Sequence, residues 1–82
     1  MYEIIVSDKA KEQLKKLPQE IKNRIGNVLE RIRIRPFSFV KRLVGSPYYR
    51  LRVGNYRVIL NIQNERLIIF IIELGHRKNI YK

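Results

Sequence analysis

The hydrophobic period of the chain changes partway along its 82 residues, and this change limits the folds that it can adopt. Within residues 9–35 apolar side chains recur every three or four positions, which is typical of amphipathic helices. From residue 48 onwards apolar and polar side chains alternate, which is typical of half-buried strands. A chain of this length has one modest core, so we expect a single domain over residues 1–82 in which helices and strands share that core.

The first half of the chain predicts a strand followed by two helices. Residues 2–6 are a β-branched run, and Ser7 offers a side-chain oxygen that caps a helix start. Apolar residues mark one face of a first helix over residues 9–17. A second helix begins at Pro18, because proline is tolerated in a first turn, and it should end before Pro36.

The second half of the chain predicts a loop and then three strands. Residues 36–47 combine proline and glycine with no sustained period, which indicates a connecting loop. We place the strands at residues 48–53, 56–63 and 66–74. Tight turns join them as an antiparallel meander, with the apolar last strand at the centre. The predicted fold class is therefore α+β: an N-terminal strand, a two-helix hairpin, and a three-stranded antiparallel meander forming one sheet packed on the helices.

The charge of the chain indicates a polyanionic partner. Eighteen Lys and Arg residues oppose seven Asp and Glu residues, so the formal net charge is +11. Residues 36–82 hold nine of the basic side chains and two of the acidic ones, a local charge of +7. Such a balance favours binding to nucleic acid, to an acidic protein, or to both.

Composition also excludes several classes of function. The chain has no cysteine and a single histidine, His76, so a zinc site of Cys and His ligands cannot be assembled, and any chemistry must be metal-free or use carboxylates. We expect neither a metal nor a cofactor. The longest apolar run, residues 67–72, is too short to span a bilayer, and the N-terminus lacks the pattern of a signal peptide. We therefore expect a cytoplasmic protein with no membrane partner.

Strand periodicity gathers arginines on one face of the predicted sheet. Arg50 and Arg52 share a face, Arg57 points away from its apolar neighbours, and Arg77 follows Glu73 at even spacing. One interpretation is that these arginines are only the solvated side of the sheet. The other is that they bind an anion, because like charges opposite one another destabilise a sheet and bound phosphate relieves the repulsion.

The most specific segments of the chain are YRLRVGNYRVI at residues 49–59 and GHRKNIY at residues 75–81. Together with the apolar strand between them and the two-helix hairpin near the N-terminus, they resemble the RelE/ParE toxin superfamily. The similarity is greatest to the archaeal RelE branch and extends over nearly the whole chain. It implies a toxin of a type II toxin–antitoxin system that acts as a ribosome-dependent endoribonuclease and cleaves mRNA in the decoding site.

The resemblance also implies roles for individual residues. In such toxins the 2′-hydroxyl attacks the adjoining phosphodiester, and fixed cations stabilise the charge that develops on phosphorus. The positions that match the catalytic set of the family are Arg50, Arg52, Arg57, Arg77 and Tyr81. Arg57 and Arg77 would hold the phosphate, and Tyr81 would stack on a base. The RNA-binding set comprises Arg50, Arg52, Lys78, Lys41 and Arg42.

The general base is the least defined part of this site. Well-known bacterial members have lysines where this chain has Arg50 and Arg52, and an arginine scarcely gives up its proton. Glu73 and His76 are the substitutes that the sequence offers. Each also has a structural interpretation, since Glu73 can pair with a nearby arginine and His76 can shape the turn after the last strand.

Two other functions agree with the same residues. ParE-type members of the superfamily inhibit DNA gyrase without catalysis, and a basic module can bind RNA or the ribosome without cleaving anything. The expected partners are mRNA on the ribosome and a cognate antitoxin, which we expect to be helical and acidic because this chain is so basic.

Overall fold

The computed structural model describes residues 1–76, and within them the predicted α+β architecture is confirmed. The elements occur in the order β1 (Glu3–Val6), α1 (Asp8–Lys15), α2 (Gln19–Ile32), a 3₁₀ turn (Pro36–Ser38), β2 (Val40–Arg42), β3 (Tyr49–Val53), β4 (Tyr56–Gln63) and β5 (Ile68–His76). Neither helix in residues 1–76 is long and apolar enough to cross a bilayer.

The strands form one five-stranded sheet in the order β1-β5-β4-β3-β2. The pairs β3/β4 and β4/β5 are antiparallel, as the predicted meander requires. The pair β2/β3, which was not predicted, is also antiparallel, whereas β1 runs parallel to β5. The prediction that the last strand lies at the centre of the sheet is wrong, because β4 is the central strand and β5 is the interior strand next to it. The apolar composition of β5 follows from this interior position, because it has a strand on each side and a helix across one face.

The loop predicted at residues 36–47 is partly wrong, because it contains the 3₁₀ turn and the short strand β2. Strand β2 has only three residues, two of which are Lys41 and Arg42, and this is too short to show an alternation of apolar and polar side chains. Only its pairing with β3 identifies it as a strand. The last strand also starts two residues later than predicted and ends two residues later. A longer turn, in which Leu67 has a left-handed φ of 56°, separates β4 from β5.

Both helices pack on the same face of the sheet. The core contains Ala10 from α1, Ile25 and Ile32 from α2, and one face of the sheet, namely Leu51, Val53, Val58, Leu60, Ile62, Ile69, Ile71 and Leu74. A β-bulge between Ile59 and Leu60 in the β4/β5 pairing inserts an extra residue into β5. This bulge lets both Ile71 and Leu74 face the core although their spacing is odd.

Helix α1 covers the edge of β5 beyond the point where β1 ends. Ser7 caps the helix by accepting a hydrogen bond from the amide of Ala10 at 3.0 Å, and its hydroxyl donates to the carbonyl of Ile72 at 2.7 Å. The amide of Leu74 donates to Oε1 of Gln13 at 2.8 Å. These side chains replace the strand that β5 lacks there, and they hold the end of β5 in place.

Candidate nucleic-acid interface

Two rows of residues cross the face of the sheet that is opposite the helices. In the first row Lys41 of β2 pairs with Arg50 of β3, which pairs with Ile59 of β4. In the second row Arg52 of β3 pairs with Arg57 of β4. Directly opposed residues of neighbouring strands project from the same face. We call the four cations Lys41, Arg50, Arg52 and Arg57 the basic face.

The arginines of the basic face differ in exposure. Arg57 is 3% exposed and is the one buried charged residue in the described part of the chain, whereas Arg52 is exposed and Arg50 is intermediate. On β5 the partner of Arg57 is Gly75, which adds no side chain to the second row. The side chain of Arg57 is thus held among its neighbours, and that of Arg52 extends into solvent beside it. One guanidinium of the pair is therefore enclosed by the protein and the other is open to solvent.

Glu73 forms an ion pair with the helix layer. By register it is opposite Ile59, next to the basic face, but its Oε1 lies 3.2 Å from Nζ of Lys9 on α1. The sequence suggested that Glu73 can pair with an arginine, whereas its partner in the structure is a lysine. Both side chains are at least one-third exposed, and a pair of this kind contributes little to stability.

His76 projects from the opposite face of the sheet. It is the last residue of β5 and pairs with Tyr56, and their ring centroids are 5.5 Å apart at an interplanar angle of 75°. The neighbouring pair on that face is Val58 and Leu74, which are core residues. His76 therefore lies at the end of the strand, on the helix side of the sheet. Its spacing of three from Glu73 already indicated that the two side chains take opposite faces.

Arg42 is likewise separate from the basic face. It pairs with Tyr49, whose side chain packs against the core, and its guanidinium carbon lies 6.0 Å from the centroid of the Tyr49 ring. Its Nε donates to the carbonyl of Ser46 at 3.3 Å. The structure thus brings Lys41 to Arg50 and turns Arg42 away, although the two are adjacent in sequence.

Three residues of the predicted site lie outside the described residues: Arg77, Lys78 and Tyr81.

A further cation was not anticipated from the sequence. Gly54, with φ of 59° in the turn between β3 and β4, lies under the guanidinium of Arg24, and an added Cβ would lie 3.3 Å from both Nη atoms. Arg24 of α2 therefore contacts the tip of the hairpin that carries Arg52 and Arg57. Its helical position gave no sign of this contact.

The chain resembles a known family over almost its entire length. The family model for the ParE toxin of type II toxin–antitoxin systems matches residues 4–81. No curated protein sequence shows a significant match.

Several solved structures share the fold. A toxin–antitoxin complex, RelBE2 of Mycobacterium tuberculosis, superposes with a TM-score of 0.83 at 24% identity, over 93% of this chain and 98% of that one. The archaeal RelE–RelB complex of Pyrococcus horikoshii gives 0.82 at 26% identity, over 93% and 94%. The RelB–RelE complex of Methanococcus jannaschii gives 0.76 at 27% identity, over 95% of each chain. The resemblance inferred from the two sequence segments is confirmed: the chain belongs to the ParE toxin family of type II toxin–antitoxin systems, within the RelE/ParE superfamily.

Proposed function

We propose that this toxin is a ribosome-dependent endoribonuclease that cleaves mRNA in the decoding site and so stops translation in the cytoplasm. The observation that carries the proposal is the opposed pair Arg52 and Arg57, with Arg57 buried. Two guanidiniums opposite each other destabilise a sheet, and burying one adds a desolvation cost. A site that binds a phosphodiester gives this arrangement a purpose, because the anion relieves the repulsion between the two cations and gains negative charge as the phosphorane forms.

The proposed reaction uses the fixed charge of the arginines. The 2′-hydroxyl of one nucleotide attacks the adjoining phosphorus, and negative charge grows on the non-bridging oxygens. A guanidinium donates to two such oxygens at once and stays protonated at any working pH. The side chain of Arg57 is already held among its neighbours, and a fixed cation is what electrostatic stabilisation of the phosphorane requires. Arg50 and Arg52 bind the RNA alongside, and Arg77 and Tyr81 are assigned the second phosphate contact and base stacking.

The proposed cellular partner is an antitoxin. The three similar structures described above are all toxin–antitoxin complexes: RelBE2 and two complexes of RelE with RelB. The high positive charge of this chain suits an acidic partner. A helical antitoxin that covers the basic face would block access to RNA.

The test is primer-extension mapping of an mRNA on programmed ribosomes. We expect cleavage within the decoding-site codon by the wild type, and at least about a hundredfold slower cleavage by Arg57→Ala, because one preorganised donor is worth that much. The matched control is Arg31→Ala, which removes the same charge from an exposed position of α2. Intact mRNA in the presence of ribosome-bound wild-type toxin would contradict the proposal.

The family model supports a second candidate, inhibition of DNA gyrase, since it is the model of ParE toxins. A supercoiling assay with purified gyrase separates the two functions. Inhibition of supercoiling by both the wild type and Arg57→Ala, with no cleavage of mRNA, would favour the gyrase function.

A further inference from the structure

The proposed reaction needs a group that removes the proton from the 2′-hydroxyl, and the arginines of the basic face are poor candidates. An arginine side chain keeps its proton under all working conditions, whereas a lysine amine exchanges its proton readily. The identity of the proton acceptor therefore depends on which other titratable groups the fold brings to this face. This question rests on the proposed ribonuclease function.

Two candidates from the sequence are poorly placed for this task. Glu73 is near the face, but its carboxylate is paired with Lys9 at 3.2 Å. His76 projects from the helix side of the sheet, next to Tyr56. A general base must reach the proton that it removes, so His76 would need to act across the sheet.

Lys41 is the amine that the described part of the chain contributes to the basic face. It belongs to β2, the strand hidden in the predicted loop, and its direct cross-strand partner is Arg50. The 3₁₀ turn that packs beside β2, Pro36–Ser38, carries no titratable side chain. Arg42 on the same strand points to the other face, so the charged groups of β3 that face Lys41 are Arg50, directly opposite, and Arg52, diagonal to it.

The spacing of the strands suits one nucleotide. Neighbouring strands lie about 4.8 Å apart, so the backbones of β2 and β4 are about 10 Å apart across β3. Arg57 lies two residues, about 7 Å, along β4 from Ile59, which shares the row of Lys41. The 2′-oxygen and the scissile phosphorus of a nucleotide are near neighbours. Long side chains from β2 and β4 on one face can therefore contact the two groups together, Lys41 at the 2′-oxygen and Arg57 at the phosphate.

We propose that Lys41 is the general base of the cleavage reaction. The neutral Nζ takes the proton from the 2′-hydroxyl, the 2′-oxygen forms a bond to phosphorus, and the bond from phosphorus to the 5′-oxygen breaks. The departing 5′-oxygen takes a proton from water. The products are a 2′,3′-cyclic phosphate and a 5′-hydroxyl, and the ammonium group returns its proton to solvent. The amine of Lys41, on the strand next to β3, thus takes the place of the lysines that bacterial relatives have at the positions of Arg50 and Arg52.

The first test separates proton transfer from charge. Lys41→Arg keeps the positive charge and the length of the side chain but cannot take up a proton. We expect single-turnover cleavage of mRNA on programmed ribosomes to slow by about a hundredfold or more, the usual contribution of a general base. The wild-type rate should rise with pH from neutral to alkaline conditions, and the rate of the variant should lose that rise. Lys11→Arg, at an exposed position of α1, is the matched control.

The second test uses the absence of cysteine from the chain. A Lys41→Cys variant has a single thiol, which can be alkylated before ribosomes are added. Treatment with 2-bromoethylamine restores an amine at residue 41 and should recover most of the lost rate. Treatment with (2-bromoethyl)trimethylammonium restores the positive charge without an exchangeable proton, and this form should stay slow.

The outcomes distinguish this inference from the proposed function. If the wild type cleaves mRNA and Lys41→Arg cleaves equally fast with the same pH dependence, the general-base assignment is wrong while the ribonuclease function stands. Equal recovery with both alkylating reagents would assign Lys41 a purely electrostatic role and overturn the proposal. Loss of the pH dependence in Lys78→Arg, but not in Lys41→Arg, would transfer the role to that lysine. Absence of cleavage by the wild type would remove both the function and the inference.

Discussion

Arg52 and Arg57 are direct cross-strand partners on β3 and β4, and only Arg57 is buried. A sheet of this size would be more stable without two cations at one position, since opposed like charges are unfavourable by several tenths of a kcal/mol. The pair is therefore a place where stability and the proposed function have opposite requirements.

Replacing the exposed member of this pair should stabilise the fold. Arg52→Gln removes a charge at similar side-chain length, so the free energy of unfolding should rise by about 0.3 to 1 kcal/mol. Urea denaturation at low salt measures the change, and added salt should reduce it. Arg66→Gln, in the exposed turn between β4 and β5, is the control and should have almost no effect. A destabilised Arg52→Gln variant would show that the opposed charges do not repel each other in the folded chain.

Arg50 and Arg42 lie on opposite faces of the sheet, so their substitution should have different effects on RNA binding. Affinity for a single-stranded RNA should fall with salt concentration, and each phosphate contact contributes about 0.7 to the logarithmic slope. Arg50→Gln on the basic face should reduce that slope by about one contact. Arg42→Gln should leave it unchanged, because Arg42 contacts Tyr49 and Ser46 on the other side of the sheet. Fluorescence anisotropy titrations at several salt concentrations give both slopes, and equal losses would contradict the register of β2.

Two glycines should respond with opposite signs to the same substitution. Gly54→Ala places a side chain at a φ of 59°, against the guanidinium of Arg24, and should destabilise the fold by about 1 kcal/mol. Gly26 lies within α2 and has no neighbouring atom within 4 Å of an added Cβ. Gly26→Ala should therefore stabilise the fold by up to about 1 kcal/mol through helix propensity. Thermal unfolding of the two variants measures the difference, and a shift of the same sign in both would be the contrary result.

The bond between Gln13 and the amide of Leu74 should control the order of the end of β5. Gln13→Leu leaves this buried amide without its acceptor and should cost about 1 to 3 kcal/mol of unfolding free energy. Gln13→Glu keeps an acceptor oxygen in the same place and should cost less. Hydrogen exchange at Leu74 provides a local measurement, with faster exchange expected in the leucine variant alone. Equal exchange in both variants would mean that the helix side chain does not hold the strand.

Much of the site could be read from local patterns. Alternation along β3 and β4 predicts that the arginines project from one face of the sheet and the core residues Leu51 and Val58 from the other. In the structure Arg50, Arg52 and Arg57 do lie on the face away from the core. The helices, the antiparallel meander and the family resemblance follow from the same short-range periods and segments. Such features depend on residues close together in sequence, so they can be recognised within a single strand or helix.

The sequence by itself thus determined the kinds of element, the core faces of the helices and meander strands, and the arginine-rich side of the sheet. The tertiary structure decided which elements are neighbours: β1 beside β5, the pairing that creates β2, and the pairs of Lys41 with Arg50 and of Glu73 with Lys9. These contacts join residues far apart in sequence, and each depends on strand order and register rather than on local period. A strand as short as β2 has no pattern of its own, so its two charged side chains acquire their opposite faces only from the strand that pairs with it.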